Sequence, residues 1–146
     1  MTDTQVDYKS VFQNLPTPVV LFNSDFIMID MNDAYPRLSG RPRDELLGRH
    51  VFEVFPDNPA EPGVSGTSAL ADSLRRVMDT GRPDAMPLQR YDVEAADHPG
   101  KFTERYWCPV NVPVRGPDGK VSCIIHAVEE VSELIRKFVE AEAARA

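Results

Sequence analysis

The chain has 146 residues, of which 42% are hydrophobic and 27% are charged, and this composition suits a single globular domain. Its formal net charge of −7 argues against a nucleic-acid partner, because phosphate binding requires clustered Lys and Arg. The first residues are polar and acidic, and no apolar run is long enough to span a bilayer. We therefore expect a cytoplasmic protein with no membrane partner.

The N-terminal part of the chain predicts a helix followed by a β-hairpin. The apolar side of the helix recurs at three- and four-residue spacing and stops before Pro16; it comprises Tyr8, Val11, Phe12 and Leu15. Two β-branched runs follow, at 19–22 and 26–29, on either side of a turn at 23–25. Two such runs around a short polar turn are typical of a hairpin.

The middle of the chain predicts several short helices and one longer helix. Asn32 or Asp33 can cap a helix that ends at Gly40, and Pro42 begins another that ends at Gly48. Residues 55–66 are rich in Pro, Gly and Asn and predict a loop.

The longer helix is predicted from residue 68 to 80 by its amphipathic pattern. Its apolar positions are Leu70, Leu74, Val77 and Met78, and Gly81 and Pro83 close it. We expect Leu74 and Val77 to lie in the core.

Beyond this helix the period changes from helical to two, which predicts strands. Residues 86–93 form the first candidate strand, and residues 102–114 alternate between two faces. One face carries Phe102, Tyr106, Cys108, Val110, Val112 and Val114. The other face carries Arg105, Trp107, Pro109, Asn111 and Pro113. Because proline donates no hydrogen bond, part of this strand should lack a partner or bulge.

The last predicted elements are a hairpin turn at 117–119, a strand at 121–128 and a C-terminal helix capped by Ser132. The element order is one helix, two strands, several short helices, one longer helix, three strands and one helix. Strands that flank a helical middle indicate an α+β fold with an antiparallel sheet.

Several segments in this order resemble the PAS domain of bacterial sensor proteins, particularly those found in front of histidine kinases. The segments are Met-Asn-Asp-Ala-Tyr at 31–35, Ser-Gly-Arg-Pro-Arg-Asp-Glu-Leu-Leu-Gly at 39–48, Arg-Tyr-Trp-Cys-Pro-Val-Asn at 105–111 and Pro-Asp-Gly-Lys-Val at 117–121. The triplet Glu130, Val131 and Ser132 is similar to the Asp-(Ile/Val)-Thr sequence that joins a PAS core to its output helix, with Glu in place of Asp and Ser in place of Thr.

The resemblance implies a five-stranded antiparallel sheet with short helices on one face and a pocket between them. It divides the chain into an N-terminal cap helix at 1–16, a PAS core at 17–131 and a C-terminal signalling helix at 132–146. It also implies that Glu130, Val131 and Ser132 transmit a signal to an output domain or partner protein.

The sequence predicts no cofactor and no metal. The covalent flavin chemistry of light-oxygen-voltage domains needs a cysteine in the helical middle, and no cysteine precedes Cys108. Haem needs an axial ligand, and only His126 of the three histidines is placed to face a pocket, because His50 follows a helix-ending glycine and His98 lies in a polar turn. A strand histidine bonded to its neighbours is commoner than a ligand, so haem is not favoured. No cluster of His, Cys and carboxylates has metal-ligand spacing.

Four residues are candidates for contacting a small ligand in the pocket: Tyr91, Tyr106, His126 and Arg90. The tyrosines combine apolar area with a polar end, and Arg90 could hold a small carboxylate bidentately. Each could equally be an ordinary residue of the sheet. No catalytic motif accompanies them, so we expect no enzyme activity in this chain.

The C-terminal helix predicts self-association. Leu134 and Phe138 continue the 3-4 spacing of Val131 and end at Ala141, as in a short coiled-coil seam. We expect a homodimer, and the alternative is a helix that folds back and buries Phe138 in its own subunit. Three functions stay open: a sensor of a small ligand or partner, a constitutive dimerisation or docking module, and a small-ligand enzyme or carrier on a similar scaffold.

Overall fold

A computed structural model describes residues 5–145, so residues 1–4 and 146 of the predicted terminal segments lie outside the described residues. The helices in this range are α1 (Tyr8–Asn14), α2 (Ala34–Ser39), α3 (Arg43–Leu46), α4 (Val51–Val54), α5 (Gly66–Thr80) and α6 (Ser132–Ala144). The strands are β1 (Val19–Phe22), β2 (Met28–Met31), β3 (Asp84–Ala85), β4 (Gln89–Arg90), β5 (Val93–Glu94), β6 (Phe102–Thr103), β7 (Tyr106–Trp107), β8 (Val110–Arg115) and β9 (Val121–Ala127).

Five of the strands form one antiparallel sheet in the order β2-β1-β9-β8-β3. This confirms the predicted α+β class and the five-stranded antiparallel sheet. The first hairpin forms as predicted, but its second strand spans Met28–Met31 instead of residues 26–29. The turn is longer because the Asn23 side chain accepts hydrogen bonds from the amides of Asp25 and Ile27 over 2.9 and 3.0 Å. Within it, Phe26 has a φ of 63°, which side-chain-bearing residues rarely adopt.

Helices α2 to α5 contribute to one hydrophobic cluster with the sheet. Leu74 and Val77 of α5 are fully buried in it, which confirms the prediction for both residues. Helix α4, of four residues, was not predicted. It begins where Nδ1 of His50 accepts a hydrogen bond from the amide of Phe52 over 3.1 Å, so His50 caps this helix.

A second polar side chain fastens the start of α2 to the sheet. Asn32 is fully buried, and its Oδ1 accepts from the amide of Val19 over 3.0 Å while its Nδ2 donates to the carbonyl of Thr17 over 2.9 Å. The asparagine of the 31–35 segment therefore holds β1 and α2 together. The predicted end of α2 is confirmed at Gly40, which has a φ of 71°.

The strand predicted at 102–114 is interrupted, and its more apolar face is the outer one. Cys108 and Val110 are exposed, whereas Trp107, Pro109 and Asn111 are buried. The ladder breaks between β7 and β8 at Pro109, as expected for a residue without an amide proton.

The strand predicted at 86–93 is likewise divided into short pieces. Strand β4 pairs with β7, and β5 pairs with β6, each as a two-stranded ladder.

The C-terminal helix α6 begins at Ser132 with Val131 at the N-cap position. The predicted cap is therefore wrong, because the Ser132 hydroxyl bonds to Glu130 instead of to an amide of its own helix. Leu134 and Phe138 are 66% and 64% exposed, so the alternative of a helix that buries Phe138 in its own subunit is also wrong. In the range 5–145, no helix has the length and apolar content needed to cross a membrane.

Candidate ligand cavity

A cavity of about 80 Å³ lies between the sheet and the inner helices. Helices α2, α4 and α5 contribute Leu38, Val51 and Leu70 to its wall, and Phe55 directly follows α4. The sheet side contributes Trp107, Pro109, His126 and Val128. Met86, which follows β3, and Val93 of β5 also contribute. The wall is predominantly apolar and contains no Asp, Glu, Lys, Arg or Cys among the described residues.

Tyr91 closes one side of the cavity and is held at both ends. Its hydroxyl donates to the carbonyl of Phe55, and its own carbonyl accepts from Nε1 of Trp107 over 2.8 Å. Burial raises the pKa of the Tyr91 hydroxyl well above its ordinary value.

The Tyr91 ring occupies space that only a glycine leaves free. A Cβ atom placed on Gly66 would overlap Cδ2 of Tyr91, closer than real Cβ contacts come. The first residue of α5 is therefore glycine because the ring packs directly on the helix backbone.

Tyr35 also lines the cavity, although the sequence did not single it out as a ligand candidate. It is 7% exposed, and burial raises the pKa of its hydroxyl. That hydroxyl makes no hydrogen bond to any residue in the described range 5–145. The sequence held one signal that Tyr35 faces the cavity. Tyr35 belongs to the 31–35 segment and lies three residues before Leu38, on the same side of α2.

His126 lies on the cavity wall and is the most deeply buried of the three histidines, at 6% exposure. Its Nδ1 is 2.6 Å from Oδ1 of Asn111 on the neighbouring strand. Burial lowers the pKa of the imidazole from 6.5 to about 4, so the ring is neutral at physiological pH.

Arg90 and Tyr106 lie outside the cavity wall. Nε and Nη2 of Arg90 donate to the two carboxylate oxygens of Asp92 over 3.0 and 3.1 Å, and Glu61 and Glu104 lie within 3.6 and 3.2 Å of the same guanidinium. Burial alone would raise the pKa of Asp92, but the hydrogen bonds from Arg90 and Asn58 outweigh it and hold the pKa below its ordinary value. Arg90 is thus paired within its own chain, and the Tyr106 hydroxyl donates to Glu104 over 2.9 Å.

The residues present do not fit haem or a flavin. The cavity is several times smaller than the roughly 300–1,000 Å³ of sites for larger ligands. Among the described residues, His126 is the one histidine in the cavity wall, and it is 6% exposed.

A polar connection runs from the cavity wall to the start of α6. Arg105 donates to the carbonyl of Leu38 over 3.2 Å and lies 3.7 Å from the carboxylate of Glu130. Ser132 donates to that carboxylate over 2.8 Å and accepts from the amide of Tyr106 over 2.9 Å. Glu130, which stands where the PAS sequence usually has Asp, therefore makes an ion pair with Arg105.

Solved structures share this architecture at low sequence identity. The PAS domain of a protein from Colwellia psychrerythraea has a TM-score of 0.67 at 13% identity, with 86% of this chain and 95% of that chain covered. A sensory box sensor histidine kinase from Vibrio cholerae has a TM-score of 0.56 at 14% identity, covering 86% and 89%.

A third structure is the PAS domain, in complex with ethanol, of a LuxR-family transcriptional regulator from Burkholderia thailandensis. It has a TM-score of 0.62 at 18% identity, with 87% of this chain and 99% of that chain covered. A family model described as the PAS fold matches residues 12–136. This match covers most of the chain and agrees with the sheet order and the inner helices, so the chain belongs to the PAS-fold family.

Proposed function

We propose that this domain is a cytoplasmic, non-enzymatic sensory module that binds a small molecule in the cavity and transmits its occupancy through α6. The observation that carries the proposal is the shared use of Leu38, whose side chain lines the cavity and whose carbonyl holds Arg105. Because Arg105 also pairs with Glu130, a shift of α2 around a ligand changes the contacts at the start of α6.

A second route leads through the sheet. Trp107 lines the cavity and forms an isolated bridge with Glu130, while the amide of Val131 donates to the carbonyl of Tyr106 over 2.8 Å. Two elements that enclose the cavity therefore meet the Glu130–Ser132 triplet, which we assign to signal transmission.

We further propose a homodimer that joins at α6 and controls a histidine kinase or another output domain. Leu134 and Phe138 expose large apolar side chains that a second copy of the helix would cover. The similarity to a sensory box sensor histidine kinase supports this kind of output.

Native mass spectrometry tests the ligand proposal directly. A small molecule retained at a fixed stoichiometry and lost on denaturation would support it. Hydrogen exchange of α6 amides, with and without that molecule, tests transmission, and we expect exchange in α6 to change on binding. A protein that retains nothing and whose cavity residues respond to no small molecule would overturn the proposal.

The second candidate function is a constitutive docking module with no ligand. It is favoured by the exposed apolar residues of α1 and α6, which include Tyr8 at 77% and Leu134 at 66% exposure. If dimerisation is tight and α6 exchange is unaffected by any cavity ligand, this function replaces the sensory one.

A further inference from the structure

A chain of hydrogen bonds leads from the buried imidazole of His126 to the protein surface. It runs from His126 through Asn111, Ser73 and Asp84 to Arg76, with heavy-atom distances of 2.6, 2.8, 2.5 and 2.9 Å. Asn111 and Ser73 are fully buried, so each of their polar atoms depends on its neighbours in the chain.

The surface end fixes the direction of every hydrogen bond. Arg76 can only donate, and hydrogen bonds from Ser73 and Arg76 lower the pKa of Asp84, so the Asp84 carboxylate accepts from both. The single hydroxyl proton of Ser73 points to Asp84, and Ser73 must therefore accept from Nδ2 of Asn111.

The same logic assigns the imidazole tautomer. With Nδ2 of Asn111 turned to Ser73, Oδ1 of Asn111 faces His126 and can only accept, so Nδ1 of His126 carries the proton. In a neutral ring with a protonated Nδ1, Nε2 is an unprotonated acceptor. This nitrogen makes no hydrogen bond within residues 5–145, and the ring forms part of the cavity wall.

We propose that the cavity takes a small, uncharged, mostly apolar molecule with a hydroxyl or N–H group that donates to Nε2 of His126. This inference rests on the proposed ligand-sensing function and specifies its ligand. A carboxylate is disfavoured because its oxygens would meet a lone pair in a wall without positive charge, and an ammonium would lose its hydration without a counter-charge.

The size of the cavity and the hydroxyl of Tyr35 narrow the ligand class. Its volume of about 80 Å³ is roughly half that of an engineered cavity of about 150 Å³ that accepts benzene. The Tyr35 hydroxyl, unpaired within the described residues, can donate to an oxygen that itself donates to His126. A short-chain alcohol satisfies both groups.

A matched set of three probes tests this class on the wild-type domain. The set is 1-propanol, its isomer ethyl methyl ether, which lacks a donor, and propanoate, which is charged. Titrations followed by amide chemical shifts of cavity residues should give about tenfold tighter binding for the alcohol than for the ether, because the ether leaves Nε2 unpaired. The imidazole ¹⁵N spectrum should show a protonated Nδ1, and the Nε2 resonance should move when the alcohol binds.

A variant then assigns the preference to one atom. His126→Phe keeps an aromatic ring and removes the acceptor, so the preference for alcohol over ether should disappear, whereas it should persist in His98→Phe at the exposed histidine. The amide spectrum establishes whether each variant is folded, and the wild-type probe comparison and tautomer do not depend on either variant.

The possible results distinguish a wrong ligand class from a wrong sensory function. Equal binding of alcohol and ether, tighter binding of propanoate, or an imidazole protonated at Nε2 would overturn the ligand class and leave the cavity a ligand site. Failure of all three probes to perturb cavity residues would overturn the ligand class and count against the sensory function itself.

Discussion

The amide of Tyr106 donates to the hydroxyl of Ser132 over 2.9 Å, and through this bond β7 holds the first turn of α6. The hydroxyl donates in turn to Glu130 over 2.8 Å, and the amide of Val131 donates to the carbonyl of Tyr106 over 2.8 Å. The helix start is thus fixed to the strand that also carries Trp107 of the cavity wall.

Replacing Ser132 with Ala should loosen α6 without altering the cavity. The change removes one acceptor and one donor, and we expect a loss of about 1 kcal/mol of stability together with faster hydrogen exchange in the first turns of α6. Ser122→Ala is the matched control, because its hydroxyl donates to the carbonyl of Val114 far from α6. Unchanged exchange in α6 would show that Ser132 does not connect helix and sheet.

Truncation of Leu74 or Val77 should destabilise the whole domain. Both side chains are fully buried, and we expect Leu74→Ala to cost about 2–5 kcal/mol and Val77→Ala somewhat less, through lost burial and cavity formation. Asp79→Ala on the exposed side of the same helix is the control. Denaturant unfolding measures all three, and midpoints equal to wild type for both core variants would contradict the packing described for α5.

Gly66→Ala should disturb the cavity by displacing Tyr91. The added methyl group would overlap the ring, and we expect a loss of about 1–3 kcal/mol together with weaker ligand binding. Gly63→Ala is the matched control, since a Cβ there meets nothing within 4 Å. Unfolding midpoints and the side-chain resonances of Tyr91 report the effect, and identical behaviour of the two variants would show that the ring does not depend on Gly66.

The buried imidazole should make the domain less stable in mild acid. The unfolded chain takes up a proton at His126 below pH 6.5, but the folded protein does so only near its pKa of about 4. The contribution of neutral His126 to the free energy of unfolding is therefore complete above pH 6.5. It is lost as the pH falls towards 4, by at most about 1.4 kcal/mol per pH unit.

Denaturant unfolding of wild type and His126→Gln between pH 7.5 and 5 isolates this effect, and the variant should show the shallower dependence. Asp84 and Asp92, whose pKa values are lowered from 3.8, lose their contribution only below that range. Parallel pH profiles for the two proteins would contradict burial of a neutral His126.

The apolar side of α6 should drive self-association. Sedimentation of the wild type at high micromolar concentration should show a dimer, and Leu134→Glu combined with Phe138→Glu should be monomeric. The control is Glu133→Gln with Lys137→Gln, which removes only an exposed ion pair of 3.5 Å on the same helix. A monomeric wild type, or a double glutamate variant that still dimerises, would exclude α6 as the interface of this domain.

Elements set by local signals could be predicted from the sequence. The turn that follows Phe22, the helix end at Gly40 and the amphipathic side of α5 depend on residues within one or two turns of each other. Such signals are visible in a short window, because capping, turn formation and helical periodicity are short-range effects.

The inner face of β8 could not be predicted in this way. Alternation assigns Asn111 to the polar side, yet it is fully buried because His126 and Ser73 satisfy its amide from 15 and 38 residues away. The ion pair of Arg90 has a related explanation, since its partner Asp92 lies in the irregular segment between β4 and β5. Partners that are distant in sequence or joined by irregular backbone leave no periodic signal.

The fixed direction of the hydrogen bonds from His126 to Arg76 gives the molecule a built-in spectroscopic probe. The Arg76 side chain is 56% exposed, whereas the imidazole at the other end is almost wholly enclosed. A docked protein or added salt that weakens the Arg76–Asp84 ion pair changes the polarisation of each bond between them and so the shielding of the imidazole proton. The resonance of the buried imidazole proton should therefore report binding or salt effects at Arg76 on the outer surface. An attached dye could not be used at His126, because it would fill the cavity.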